Sequence, residues 1–369
     1  MKFLFGTEPD DTHALVVKLA LEAAGHQVYN LFTADFPSYQ SHSLAVDEHG
    51  WQWCSQDDKH QAYPNDFEAI WWRRARKPFI AKDSVHPDDY LFLLKESHLF
   101  YESLVHLLSE KSWWINPKKA ADRANSKLLQ LKLAASCGLS IPITLCSNDA
   151  TRIQHFVTHH AKEKIIYKPL CTYFWPEQQT IKAVYTAPIT IHSLPDKTTL
   201  ALSAGLFQVE IPKAYELRIT CFGDHLVATK LYSQAHALGQ MDWRRIPFKE
   251  MAIEPYVLPL AIQNKIRIFM RQLGIVFGCF DFIKTPEGEY VFLEVNEQGQ
   301  FLWIDEYNPE FKLLDTFVQF IQQTSRNFIY QPTNNAHRLS MYDRQTALLY
   351  EQNMQQHVHL NQLKYKDTP

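Results

Sequence analysis

Residues 278–303, GCFDFIKTPEGEYVFLEVNEQGQFLW, hold two runs of alternating side chains separated by TPEG, a proline- and glycine-containing turn signal. The pattern reads as a β-hairpin. If Lys284 faces Glu289, alternation puts Asp281, Glu294 and Asn296 on one face and Phe280, Phe282, Leu293 and Val295 on the other. In that register Asp281 and Glu294 are diagonal neighbours, roughly 7 Å apart at the backbone. Two carboxylates and an amide suit a hard cation such as magnesium, with metal–oxygen distances of about 2.1 Å, and do not suit zinc. An isolated D…ExN spacing arises often by chance and fits surface carboxylates paired with Lys or Arg better. Here the turn, the parity and the surrounding sequence agree.

Working outward, 369 residues at about 150 per domain predict two or three domains. Residues 118–136, preceded by Pro117 and followed by Gly138 and Pro142, carry the apolar spacing of a helix that opens a second unit. IIYKPL (165–170), AVYTAPITI (183–191) and three runs within 201–232 read as strands. Helices are expected near 259–273 and 312–323, flanking the hairpin. At the amino terminus KFLFG, an amphipathic stretch over 12–24 and HQVYNLF read as strand, helix and strand, the start of an α/β layer. FEAIWWRR (67–74) reads as a buried strand ending in charge, and 88–110 as a long helix. The first turn is GTEPDD rather than GxGxxG, which argues against a dinucleotide site there. The expected division is an amino-terminal α/β domain over 1–115, a central domain over 116–206, a carboxy-terminal domain over 207–328, and a polar tail over 329–369 with one short helix.

Apolar residues make up 46% and charged residues 21% of the chain, which is a folding composition. A net charge of −3 gives no general pull toward nucleic acid or an anionic membrane, so a bound polyanion needs a local site. The amino terminus lacks the continuous apolar region of a signal peptide, and no eighteen-residue apolar run predicts a membrane span. The six cysteines are scattered without CxxC or zinc spacing, as expected of cytoplasmic thiols, and the seventeen histidines form no compact ligand motif.

FLEVNEQGQFLW with its upstream DFI strand resembles the carboxy-terminal metal-binding hairpin of ATP-grasp enzymes. WWRR, INPKKAADRANSKLLQLKLAASCGLSIP, IYKPL, LFQVEIPKAYELRIT, SQ followed by MDWRR, and FLEVNEQGQFLW occur in the order seen in graspetide synthetases, the microviridin-type peptide ligases. The resemblance covers residues 1 to about 325. It implies an ATP-grasp fold of mixed α/β (α+β) class, in which the three domains become a Rossmann-like pre-ATP-grasp domain, a lid, and a nucleotide and metal domain.

The resemblance also implies roles. Lys127 and Lys168 match the two lysines that contact nucleotide phosphates, a role that point charges suit. Gln208, Val209, Glu210 and Ile211 match the linker whose backbone meets the adenine edge, with Val209 where the family usually has an acidic residue. Glu216 lies within reach of the ribose hydroxyls. Arg218 and Arg244 match arginines near the reacting carboxylate and the γ-phosphate, where a planar guanidinium binds two oxygens at once. Asp242 either orients Arg244 or helps deprotonate the nucleophile, and serves equally as a helix cap or ion-pair partner. Arg73, Arg74 and Arg245 receive no role beyond salt bridging. The loop CTYFWPEQQT (171–180), where phosphate-covering loops usually carry glycine, has none.

By resemblance the protein is an ADP-forming ligase using ATP and Mg2+. It would activate Asp or Glu side chains of a ribosomal precursor peptide as acyl phosphates and join them to Thr or Ser hydroxyls or Lys amines. Relatives suggest a homodimer. Two rivals stand beside this reading: an ATP-grasp ligase that adds an amino acid to a small molecule or protein tail, and a catalytically silent ATP- or peptide-binding protein.

Overall fold

The structure, a computed structural model, describes residues 1–56, 61–62, 67–108, 112–171, 174–177, 180–183 and 186–360. Its first layer is a parallel sheet of four strands in the order Gln27–Phe32, Lys2–Thr7, Ala69–Trp72, Trp113–Ile115. These strands read as near-continuous apolar runs because the sheet is covered on both faces: Phe3, Phe5, Ala69 and Trp71 sit in one core cluster, Leu4, Ile70 and Trp72 in another. The helix Thr12–Ala23 follows the first strand, and Tyr90–Leu108 precedes the last.

A small antiparallel sheet follows, in the order Ala187–Ile189, Ile165–Lys168, Gly205–Val209, Thr144–Ser147. The third sheet carries the site. It has five antiparallel strands in the order Ile253–Tyr256, His225–Leu231, Tyr215–Phe222, Phe277–Lys284, Tyr290–Asn296. One face packs on the helices Lys118–Ala124, Lys127–Ser136 and Leu260–Leu273 through Leu217, Ile219, Phe280, Phe282 and Phe292. At the end nearest the first layer, Phe222, Phe277, Phe301, Phe317 and Phe320 gather around Trp71. Each buried phenylalanine contributes about 1.5–3 kcal/mol, so this cluster joins the first layer firmly to the third sheet.

Three expectations need correction. The predicted helix over 118–136 is two helices, because Ser126 turns the chain and caps the second by accepting from Leu129 N at 3.4 Å. Lys127 is thereby the first residue of a new helix rather than the middle of an old one. In the hairpin Lys284 faces Tyr290, not Glu289, because Glu289 is spent in the turn: Thr285 N donates to its carbonyl, and its own N–H is held by Thr285 Oγ1. Gly288 takes φ 93° in this turn, a conformation that favours glycine. The third correction, at Leu293, belongs to the site. The polar region after 329 carries the helix Asp343–Gln356, and the chain then docks on the first layer, with Val358 N and His357 Nδ1 held by Asp35 at 2.8 and 2.6 Å.

Candidate active site

Register alone brings most of the predicted residues together. Arg218 lies directly opposite Asp281, and Asp281 directly opposite Glu294, with Asn296 two residues further along the same face opposite Cys279. Asp281 and Glu294 are therefore facing partners rather than diagonal ones. The cause is a bulge between Asp281 and Phe282, which lets Leu293 leave the ladder. Phe292 takes the core position assigned to Leu293 by simple alternation, and Leu293 instead lines a cleft of about 700 Å³ between the second and third sheets.

Lys127, Lys168, Gln208, Val209, Glu210, Ile211, Glu216, Asp242, Arg244, Asp281, Glu294 and Asn296 all line this cleft. Arg218 stands behind it. Its Nη1 donates to both oxygens of Asp281 at 2.9 Å, and its Nη2 donates to the Gln300 carbonyl at 3.1 Å. Arg244 reaches the same carboxylates from the other side, at 3.3 Å from Asp281 and 3.1 Å from Glu294. Burial opposes both guanidinium charges, but the facing carboxylates outweigh it and hold both arginines above their ordinary range. Burial likewise works against the Glu294 charge, and Arg244, Lys127 and Lys168 reverse it, so that carboxyl titrates below its usual range. The site is thus a compact lattice of two carboxylates and four cations.

The lysines occupy different positions. Lys127, at its helix start, donates to the Pro169 carbonyl at 3.2 Å and lies 3.7 Å from Glu294. Lys168 is pushed down from its ordinary value by burial, with the Glu294 charge opposing that shift. A lysine so desolvated gains strongly from an anionic ligand. Lys168→Ala is expected to weaken ATP binding about tenfold or more, because one charged hydrogen bond is worth roughly 1.5–3 kcal/mol. An unchanged dissociation constant in a calorimetric titration would remove Lys168 from the phosphate contacts.

At the linker, Val209 N and Glu210 N are already bonded to Ile143 O and Lys164 O at 3.0 and 2.8 Å. Among the described residues no hydrogen bond engages the Glu210 carbonyl or the Ile211 N–H, which leaves an adjacent acceptor and donor. That pair matches the adenine edge, whose amine donates and whose ring nitrogen accepts. Both groups are backbone, so Val209 in place of an acidic residue costs the pattern nothing. Ile166, Leu206, Ile283 and Leu293 add apolar walls there; isolated aliphatics in strands carry no signal in the sequence that would single them out.

Glu216 is buried, and its Oε1 accepts from Lys213 at 2.9 Å and Ser233 Oγ at 3.0 Å. Lys213, which no motif singles out, also lines the cleft; it pairs with Glu216 from the loop before that strand, where a three-residue spacing carries no signal of a pair. Asp242 caps the turn Trp243–Arg245 by accepting from Arg244 N at 3.0 Å and lies 3.5 Å from the Arg244 guanidinium, so both of its local readings hold together. Arg73 pairs with Asp11 at 2.8 Å and Arg74 with Glu8 at 2.8 Å, as salt bridging predicts, whereas Arg245 is exposed. Residues 172–173 and 178–179 of the glycine-free loop lie outside the described residues.

The donor set fits magnesium. Asp281 and Glu294 provide facing carboxylates, and Asn296 Oδ1, which accepts from Gln298 N and Gly299 N at 3.2 and 3.0 Å, adds a carbonyl-type oxygen. The neighbouring cations fit phosphate, and Arg218 Nε is buried with no acceptor among the described residues.

No family model matches the chain, nor does any curated protein. Solved structures do. A RiPP-associated ATP-grasp ligase from Chryseobacterium gregarium, in complex with ADP and a leader and core peptide, aligns at TM-score 0.79 and 23% identity, over 89% of this chain and 99% of that one. The macrocyclase MdnC from Microcystis aeruginosa, bound with its precursor peptide MdnA, aligns at TM-score 0.76 and 28% identity, over 88% and 100%. The macrocyclase MdnB from the same organism gives TM-score 0.72 and 25% identity over 87% and 98%. Motif order, sheet topology and these likenesses agree: the chain has the ATP-grasp fold and is similar to a RiPP-associated ligase and two macrocyclases of that fold.

Proposed function

We propose that the chain is an ADP-forming ligase that crosslinks a ribosomal precursor peptide, joining Asp or Glu side chains to Thr or Ser hydroxyls or Lys amines. The observation that carries this reading is the convergence of Asp281 and Glu294 with Arg218, Arg244, Lys127 and Lys168 at a cleft of about 700 Å³ whose linker leaves the Glu210 carbonyl and the Ile211 N–H without partners among the described residues. Its structural relatives include proteins solved with ADP, with magnesium and with precursor peptides.

In this reading the Glu210 carbonyl and the Ile211 N–H fix the adenine between the apolar walls, and Lys127 and Lys168 grip the phosphate chain. Magnesium bound by Asp281, Glu294 and Asn296 would neutralise the β- and γ-phosphates. In this reading Arg244 holds the peptide carboxylate in line with the γ-phosphorus while Arg218, behind the cleft, fixes Asp281, and attack by the peptide carboxylate yields an acyl phosphate and ADP. A hydroxyl or amine then attacks the activated carbonyl, phosphate leaves, and the Arg244 guanidinium steadies the developing negative charge. Asp242, 3.5 Å from Arg244, keeps that arginine aimed, and in this reading it accepts the nucleophile's proton. Glu216 anchors Lys213 at the ribose side.

We further assign the lattice to a carboxy-terminal domain, the small sheet to a lid and residues 1–115 to the pre-ATP-grasp domain. We also propose a homodimer in the cytoplasm, for which Leu91, Phe92 and Leu99 present an exposed apolar stripe to a second copy.

The test is product analysis after incubation with ATP, magnesium and candidate precursor peptides. ADP and phosphate are expected, with a mass loss of about 18 Da per ATP consumed, one water per condensation. AMP as the nucleotide product would overturn the mechanism. ADP with a mass gain of one amino acid would transfer the function to the amino-acid-adding ligases.

A further inference from the structure

The turn that follows the proposed metal ligands, residues 297–300, has all four of its backbone carbonyls taken by side-chain donors. Asn116 Nδ2 donates to Glu297 O at 2.9 Å, Arg73 Nη1 to Gln298 O and to Gly299 O, the latter at 2.9 Å, and Arg218 Nη2 to Gln300 O at 3.1 Å. His13 Nε2 accepts from the next two amides, Phe301 N and Leu302 N, at 3.2 and 3.3 Å. Three of the four side chains (Asn116, Arg73 and His13) come from residues 1–116, outside the third sheet. Arg73 is 1% exposed and is itself fixed by Asp11, also 1% exposed, whose Oδ2 further accepts from Thr7 Oγ1 at 3.0 Å.

The turn matters because it holds Asn296. The Asn296 side chain accepts from Gln298 N and Gly299 N, the amides of the residues whose carbonyls Arg73 grips. We infer that Arg73, oriented by Asp11, is a positioning residue for the cation site, a clamp by which the amino-terminal layer sets the turn after the metal hairpin and with it the oxygen of Asn296. Arg73 does not line the cleft, so it acts through the turn and not on substrate. One guanidinium nitrogen spans two successive carbonyls while Nε holds the carboxylate. A lysine has one point of attachment and cannot hold both ends in this geometry. Both arginines of the WWRR motif are thereby placed, the first fixing the site and the second pairing with Glu8.

The clamp rests on the metal assignment above, so its test is read partly without catalysis. Hydrogen exchange in metal-free protein is compared between the wild type and Arg73→Lys, and Mn2+ is titrated as a probe for the cation in the presence of ADP. Exchange is expected to rise in peptides covering 293–302 and to stay unchanged in the helix Leu260–Leu273. Mn2+ affinity is expected to fall about 10–100-fold, the usual cost of losing an outer-sphere partner of a metal ligand. ATP affinity without metal stays within twofold. Should Arg73→Lys fail to fold, Asp11→Asn, which keeps the arginine and removes its orienting charge, is read in its place with a smaller shift in the same direction. Uniformly raised exchange with unchanged Mn2+ affinity would make Arg73 a stabiliser only and overturn the clamp. If wild type itself binds no Mn2+ with ADP, the metal assignment falls with it, a distinct result.

Discussion

Glu294→Gln should slow magnesium-dependent ADP formation by about a hundredfold or more while leaving the melting temperature within a few degrees of wild type. The amide keeps the shape of the side chain and removes a charged oxygen donor, a loss expected to exceed the 10–100-fold that outer-sphere partners carry. Stability is spared because the partners of Glu294 are wet: its own side chain is 30% exposed, and those of Arg244 and Lys127 are 49% and 32% exposed, so water takes over the lost pairs. Asp281→Asn should cost the same activity and also stability. Its partner Arg218 is buried beside it on the same face of the sheet, and removing one member of a buried ion pair strands the other at roughly 3–5 kcal/mol. Melting should fall by roughly 5–10 °C on that basis. Turnover assays below the transition, with melting followed by circular dichroism, separate the two effects. Wild-type turnover in folded Glu294→Gln would mean that this hairpin does not hold the catalytic cation.

The contrast between these two carboxylates was not legible in the sequence, although their pairing was. Alternation put Asp281, Glu294 and Asn296 on one face because a strand's period is two, and any hairpin register that buries Phe280 and Phe282 does the same. The bulge is hidden because Val291, Phe292 and Leu293 are three successive apolar residues. Such a run satisfies the core in either of two registers, and only packing against Phe269 and Phe280 selects Phe292 for the interior. The helix break before Lys127 is hidden for a related reason. Apolar spacing continues across residues 124–131, and the polar pair Asn125–Ser126 reads as a helix surface until Ser126 is seen capping the next turn.

Other features depend on contacts distant in sequence. The clamp joins Arg73 to carbonyls 225 and 226 residues away, and backbone acceptors carry no side-chain signature. The helix after residue 343 is mostly polar and reads as a tail, yet its end is fixed by Asp35, a buried carboxylate at the far side of the first sheet. The residues that gather at the cleft concentrate in short ordered motifs and are readable there; their support is spread over the fold and is not.

Arg244→Ala should retain ATP binding within about threefold and lose crosslinked product by about a hundred- to a thousandfold. The magnitude is that of removing one donor from a site where negative charge develops. The structure makes this variant informative because the Arg244 side chain is half exposed and its loss leaves no buried partner uncompensated: Asp281 keeps both bonds from Arg218, and Glu294 keeps Lys127 and a wet surface. Arg244 also competes with the proposed cation for those two carboxylates, so its removal leaves metal affinity unchanged or tighter, and loss of product cannot then be blamed on loss of metal. Arg218 calls for a gentler change, because alanine would strand Asp281 in the interior. Arg218→Lys keeps the charge and gives up the fork that spans Asp281 and the Gln300 carbonyl. It should bind ATP, fold with a modest loss of stability, and turn over at least tenfold more slowly. Calorimetry for nucleotide, mass spectrometry for peptide and a separate count of ADP released without crosslinking divide binding, activation and coupling. Product at the wild-type rate from Arg244→Ala would place the substrate carboxylate elsewhere in the cleft. Normal ADP release with no crosslink would instead confine Arg244 to the second step, the attack on the acyl phosphate.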